Sequence, residues 1–137
     1  AKADVAAAEA RRDLAVVRSP MRAQILEIHA QPGDRVGPEG ILELGQTDRM
    51  YVVAEIYETD IALIEKGQAA TVRVGAIAEP LTGTVDRISL KVGRLDILGT
   101  DPIAKTDARV VEVYIKLDNG EAVSGYTNMQ VEVEIQI

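Results

Sequence analysis

From Met50 onward the chain alternates with a period of two residues. Met50, Val52, Ala54 and Ile56 fall on one face, and Tyr51, Val53, Glu55 and Tyr57 on the other. That period predicts a half-buried β-strand. "ETDIALIEKGQ" follows, in which Thr59 is the expected N-cap, Ile61 and Ile64 lie one turn apart, and Gly67 stops a short helix. The next strand directs Ala70, Val72 and Val74 inward and Thr71 and Arg73 outward. "LTGTVDRISLKV" begins in one phase (Leu81, Gly83, Val85) and continues in the other (Ile88, Leu90, Val92). A slip of phase at Asp86–Arg87 predicts a β-bulge, which bends a strand and helps a small barrel close. "RVVEVYIKL" directs Val111, Val113, Ile115 and Leu117 inward. The last strand buries Val131, Val133, Ile135 and Ile137 and exposes Glu132, Glu134 and Gln136.

These segments predict an antiparallel β-barrel of about five or six strands with one short helix, because closure removes the edges that such apolar strands would offer to other chains. Ahead of them, the Ala-rich residues 1–15 have helical composition. Ala3, Ala7, Ala10, Leu14 and Val17 follow the spacing of a coiled-coil seam, with a solvated helix as the alternative. Pro20 ends the helix. Residues 23–44 read as short strands turning at Pro32-Gly33-Asp34 and at Gly37-Pro38-Glu39-Gly40. The expected organisation is therefore a helix end at 1–15, a short-strand segment at 16–47 and a barrel at 48–137.

Composition narrows the function classes. Hydrophobic residues make up 47% of the chain but aromatics only 3%, with no Phe and no Trp, so the core must be aliphatic. A formal charge of −7 argues against nucleic acid and against an anionic membrane surface. The absence of cysteine excludes disulfides, thiol chemistry and Cys-ligated zinc. No apolar run reaches the roughly 18 residues of a membrane span. The sequence opens in helical composition without a cap or an initiator Met, so a longer protein with any targeting segment upstream is expected.

Candidate chemistry is sparse. His29, the only histidine, has no Ser or second His at a catalytic spacing and reads as a strand-end surface residue. Asp96, Asp101 and Asp107 lack the spacing of a calcium loop. Glu55, Glu58 and Asp60 read as capping and edge residues at a strand-to-helix corner. Gly33, Gly37 and Gly40 do not form a phosphate loop. No enzymatic activity, cofactor or metal is expected.

The stretch "VVRSPMRAQILEIHAQPGDRVGPEGILEL" resembles a biotinyl/lipoyl swivelling carrier, but it contains no lysine to bear a cofactor. Lys2, Lys66, Lys91, Lys105 and Lys116 all lie outside such a turn. A carrier fragment remains an alternative that a mass increment on the native protein would revive, and a small-ligand-binding barrel is another.

The order of parts carries a more specific likeness. "AEARRDLAVVRSP" is similar to the end of a descending hairpin helix. "AQILEIHAQPGDRVGPEGILEL" is similar to the second half of a lipoyl-like domain. "MYVVAEIYETDIALIEKGQAATVRV" is similar to the start of a β-barrel domain, and "GYTNMQVEVEI" to its closing strand. Together these resemble the HlyD-like membrane fusion, or periplasmic adaptor, family of bacterial exporters. "TDPIAKTDARVVEVYIKLD" is similar to the subgroup serving cyanobacterial ABC exporters, the heterocyst glycolipid exporter adaptor type (DevB-like). Ser19-Pro20-Met21 departs from the family's usual Ala-Pro-Phe.

The resemblance implies a fragment of a non-catalytic periplasmic subunit, anchored to the inner membrane through an N-terminal segment outside this sequence. Its implied partners are an inner-membrane ABC permease/ATPase and, through a hairpin tip also outside this sequence, a TolC-like outer-membrane channel, with assembly as a homo-oligomeric ring. In that family a helical hairpin is inserted near where a carrier's lysine turn would be, so the lysine has no role. Residues 16–44 would then be half a sandwich that needs partner strands. The long connection 93–108 carries Leu95, Ile97, Leu98 and Ile103 among acids, a mixture that suits a partner-contact loop. The alternative is that these aliphatics plug the barrel end.

Overall fold

The computed structural model describes residues 1–94 and 109–137. The chain divides into two compact units, Ala1–Gln46 and Thr47–Ile137.

The first unit holds helix α1 (Lys2–Leu14) and strands β1 (Gln24–Ile28) and β2 (Leu42–Gly45). Alanine and long straight side chains favour α1, which buries no residue. Ala15 already closes the helix, so Val17, the last position of the expected seam, lies beyond its end. Both glycine turns form. Gln31-Pro32-Gly33-Asp34 is closed by a bond from the Asp34 N–H to the Gln31 carbonyl at 2.9 Å. Gly33 has φ +95° there, a position that follows a turn proline and that side chains avoid. Gly37 and Gly40 bridge to each other. β1 and β2 pair antiparallel, with an irregularity between Ile25 and Glu27.

Among the described residues, the second unit forms a five-stranded antiparallel sheet of order β3-β6-β5-β4-β7. Its strands are β3 (Tyr51–Tyr57), β4 (Ala69–Arg73), β5 (Leu81–Arg94), β6 (Arg109–Leu117) and β7 (Glu132–Ile135). It curls into a nearly closed barrel around Val52, Ala54, Ala70, Val72, Val74, Val85, Val113, Ile115, Leu117 and Val123. Met50, Ile56, Ile61, Ile64, Ile88, Val131, Val133 and Ile135 pack against that cluster. The mainly β class expected from the alternation is therefore the observed one, and the inward phases of β3, β4 and β6 are as expected.

The bulge expected at Asp86 is present, because the β5–β6 register steps from Val85↔Ile115 to Arg87↔Tyr114. Gly83 sits where β5 and β6 approach most closely. A Cβ there would lie 2.8 Å from both the Ile115 Cγ2 and the Lys116 carbonyl oxygen.

Several expectations are corrected. Leu90, expected inward, is fully exposed, with a relative accessibility of 106%, and Val92 is exposed as well. The reason is a second register break, between Ile88↔Val113 and Val92↔Val111, which leaves Ser89, Leu90 and Lys91 opposite Glu112 alone. A strand that bulges this far loses its alternation. Ile137 is exposed because β7 ends at Ile135. The short helix is a 3-10 turn, Ile61–Leu63, whose N-cap is Asp60 rather than Thr59 and makes no side-chain cap bond. Gly67, with φ +97°, ends that corner and returns its N–H to the Val85 carbonyl at 2.8 Å. A second 3-10 turn, Gly120–Val123, lies between β6 and β7 and buries Val123. Val110 is buried beside Val111, although the alternation assigned it to the outer face.

Candidate functional site

Two surfaces stand out, one in each unit.

In the first unit, register determines the faces of the β1–β2 hairpin. Opposed residues in an antiparallel pair share a face. Ile25 opposes Leu44 and Ile28 opposes Leu42, whereas Glu27 opposes Glu43. The extra residue, Leu26, is what lets Ile25 and Ile28 lie on one face although they are three positions apart. One face is thus aliphatic (Ile25, Ile28, Leu42, Leu44). The Leu26 side chain turns to the other and covers Gly45, where a Cβ would meet its Cδ1 at 2.8 Å.

The aliphatic face has no cover within its unit. No residue of Ala1–Gln46 is buried. Ile25 and Ile28 are 52% and 53% accessible, and Val36 is equally open. A two-stranded hairpin with one apolar face is marginal in water unless something packs on it.

Beside Leu26, the opposite face carries the charged side chains. One ligand atom each from Glu27, His29 and Glu43 lies within 4.8 Å of the others. His29 continues the pairing of β1, its N–H donating to the Ile41 carbonyl at 2.8 Å, which keeps its side chain on the Glu27 face. His29 stands at the end of β1, as its sequence position predicts, but the carboxylates beside it were not expected there. Glu27-x-His29 was visible as an i, i+2 pair; Glu43 joins only through the register.

In the second unit, the Asp86 bulge sets Arg87 opposite Tyr114 on the outer face, and the guanidinium carbon lies 4.0 Å from the ring centroid. The Tyr114 hydroxyl donates to the Glu112 Oε2 at 2.8 Å. That bond raises the Tyr114 pKa above its ordinary value; desolvation and the Glu112 charge push the same way and the Arg87 charge opposes them. Tyr51, Val53 and Tyr57 on neighbouring β3 are exposed, and Val53 is paired with Tyr114.

The remaining sequence candidates are scattered. Glu55 pairs with Glu112 in the β3–β6 ladder, the Glu58 N–H bonds the Arg109 carbonyl, and Asp60 begins the 3-10 turn. Leu95, Ile97, Leu98 and Ile103, together with Asp96, Asp101 and Asp107, lie outside the described residues. No helix among the described residues is long and apolar enough to cross a membrane.

No protein-family model matches the sequence, and no curated protein sequence matches it. Solved structures do. The membrane fusion protein Spr0693 from Streptococcus pneumoniae R6 matches with a TM-score of 0.62 and 14% identity, over 98% of this chain and 55% of that one. ZneB from Cupriavidus metallidurans matches with a TM-score of 0.58 and 21% identity, over 85% of this chain and 43% of that one. The chain thus has the fold of about half of each protein.

Proposed function

We infer that the chain is part of a periplasmic adaptor subunit of the HlyD-like type, with an assembly role and no catalysis. The observation that carries this reading is the uncovered aliphatic face of the β1–β2 hairpin, in a chain that also contains a barrel with its own core. A domain that had to work alone would bury that face; a half-sandwich completed by other strands would leave it open. The likeness to a solved membrane fusion protein over nearly all of the chain supports the same reading.

In this reading residues 1–15 end a hairpin helix, 16–47 form the second half of a lipoyl-like domain, and 48–137 form the barrel domain. The full protein sits in the periplasm, held at the inner membrane. It joins an ABC permease/ATPase to a TolC-like outer-membrane channel as a homo-oligomeric ring. The finer assignment is the cyanobacterial, DevB-like exporter type, from the resemblance of residues 100–118. Leu95, Ile97, Leu98 and Ile103 are its transporter contact.

The test uses the full-length protein in its own membrane. The permease encoded beside it should co-purify, and Leu98→Ser or Ile103→Ser should weaken that capture with the melting temperature unchanged. A fall in stability with normal capture by the folded fraction would assign those residues to the barrel core instead. Failure to capture any permease or outer-membrane channel after cross-linking would remove the adaptor reading itself.

A further inference from the structure

The polar face of the β1–β2 hairpin poses a problem of charge. Glu27 and Glu43 are directly opposed, and like charges in that position destabilise a strand pair. The barrel contains a second opposed pair, Glu55 and Glu112, and there compensation is visible. Glu112 accepts the Tyr114 hydroxyl, and Arg87 stacks on the same ring. The hairpin has no such arrangement. Among the described residues, neither the Glu27 nor the Glu43 carboxylate has an ion pair or a hydrogen bond. What lies beside them is the imidazole of His29, with one ligand atom from each of the three within 4.8 Å of the others.

We propose that Glu27, His29 and Glu43 form a binding site for a divalent transition cation of the zinc class, which clips β1 to β2. Zinc takes imidazole nitrogen and carboxylate oxygen at about 2.0–2.2 Å, which places two ligands on one ion roughly 3–4 Å apart. Side-chain rotations that bring these atoms roughly 1–2 Å closer to one another close this set around an ion. Three protein ligands leave room for water at the remaining position. The imidazole selects against magnesium and calcium, which take all-oxygen shells, and the lack of thiolate and thioether selects against copper(I).

The site has a physical role that the adaptor reading does not supply, and it does not rest on that reading. The unit buries no residue, so its two strands are held by their ladder pairing without a packed core. A cation that binds the paired strands and not the open chain stabilises the pairing by mass action.

The test is zinc titration of the tag-free 137-residue chain by calorimetry, alongside Glu27→Gln, His29→Ala, Glu43→Gln and a control on β7, Glu132→Gln. One saturable equivalent should bind. Each of the three substitutions should weaken binding by at least the roughly 10–100-fold that even an outer-shell change costs, and the control should not. Because His29 is the only histidine, its imidazole resonances report directly: zinc should shift them and should slow amide exchange in β1 and β2. The glutamine variants relieve repulsion, so they should keep the hairpin amide signals without metal. If a variant loses those signals, the His29 shift in the unsubstituted chain decides. No saturable binding, unchanged binding in His29→Ala, or calcium binding as tightly as zinc would each overturn the proposal. Binding that survives all three substitutions would be adventitious surface binding and overturns it equally.

Discussion

Val113→Ala is the sharpest probe of the barrel. Val113 has no accessible surface, and its ladder partners are Ala54 on β3 and Ile88 on β5. Truncation removes two buried methyl groups, a transfer loss of about 1.6 kcal/mol at roughly 0.8 kcal/mol per group. Ala54 is too small to fill the space, so the cavity left behind adds up to about 1 kcal/mol. The expected loss is about 2 kcal/mol. For a domain of this size that lowers the melting temperature by about 8–16 °C. The matched control is Leu90→Ala. Period-2 alternation alone gives Leu90 the same inward status as Val113, whereas in the structure its side chain is fully exposed. Its change should stay within about 0.5 kcal/mol. Urea unfolding followed by far-UV circular dichroism measures both, since the chain has no tryptophan to report by fluorescence. Equal losses in the two variants would mean that the strand keeps its alternation through residue 90. No loss at Val113, with an unchanged denaturant slope, would remove β6 from the barrel core.

Two further predictions address close contacts. Gly83→Ala should destabilise the barrel by about 1–3 kcal/mol, because the new Cβ meets a backbone carbonyl that cannot rotate away; an unchanged urea midpoint would mean that β5 and β6 are farther apart there. Tyr114 should hold its proton to higher pH than an ordinary tyrosine, mainly through its bond to Glu112, and Glu112→Gln should bring its titration down, read as tyrosinate absorbance. The sign follows from a folded-state pKa above the unfolded one: any stability from this bond is present below the ordinary tyrosine range and lost as pH rises through the folded value.

The amino-acid pattern by itself determined the mainly β class, the aliphatic core, the glycine turns at Gly33 and Gly40, and the inward faces of β3, β4 and β6. It even located the Asp86 bulge, because a phase slip within one strand is written in that strand's own residues. What tertiary structure alone decided involves two strands at once. Leu90 points to solvent because three residues of β5 stand opposite one of β6, and the alternation in β5 contains no trace of that partner count. Val123 is core because a 3-10 turn between β6 and β7 carries it onto the barrel, and no alternation in the sequence marks it as inward. Glu43 reaches Glu27 and His29 because an extra residue at Leu26 shifts the β1–β2 pairing. Side-chain direction along one strand is a local steric property with a fixed period, so the sequence carries it. Register is a relation between distant segments, set by turns, bulges and packing together, so it emerges only when the strands meet.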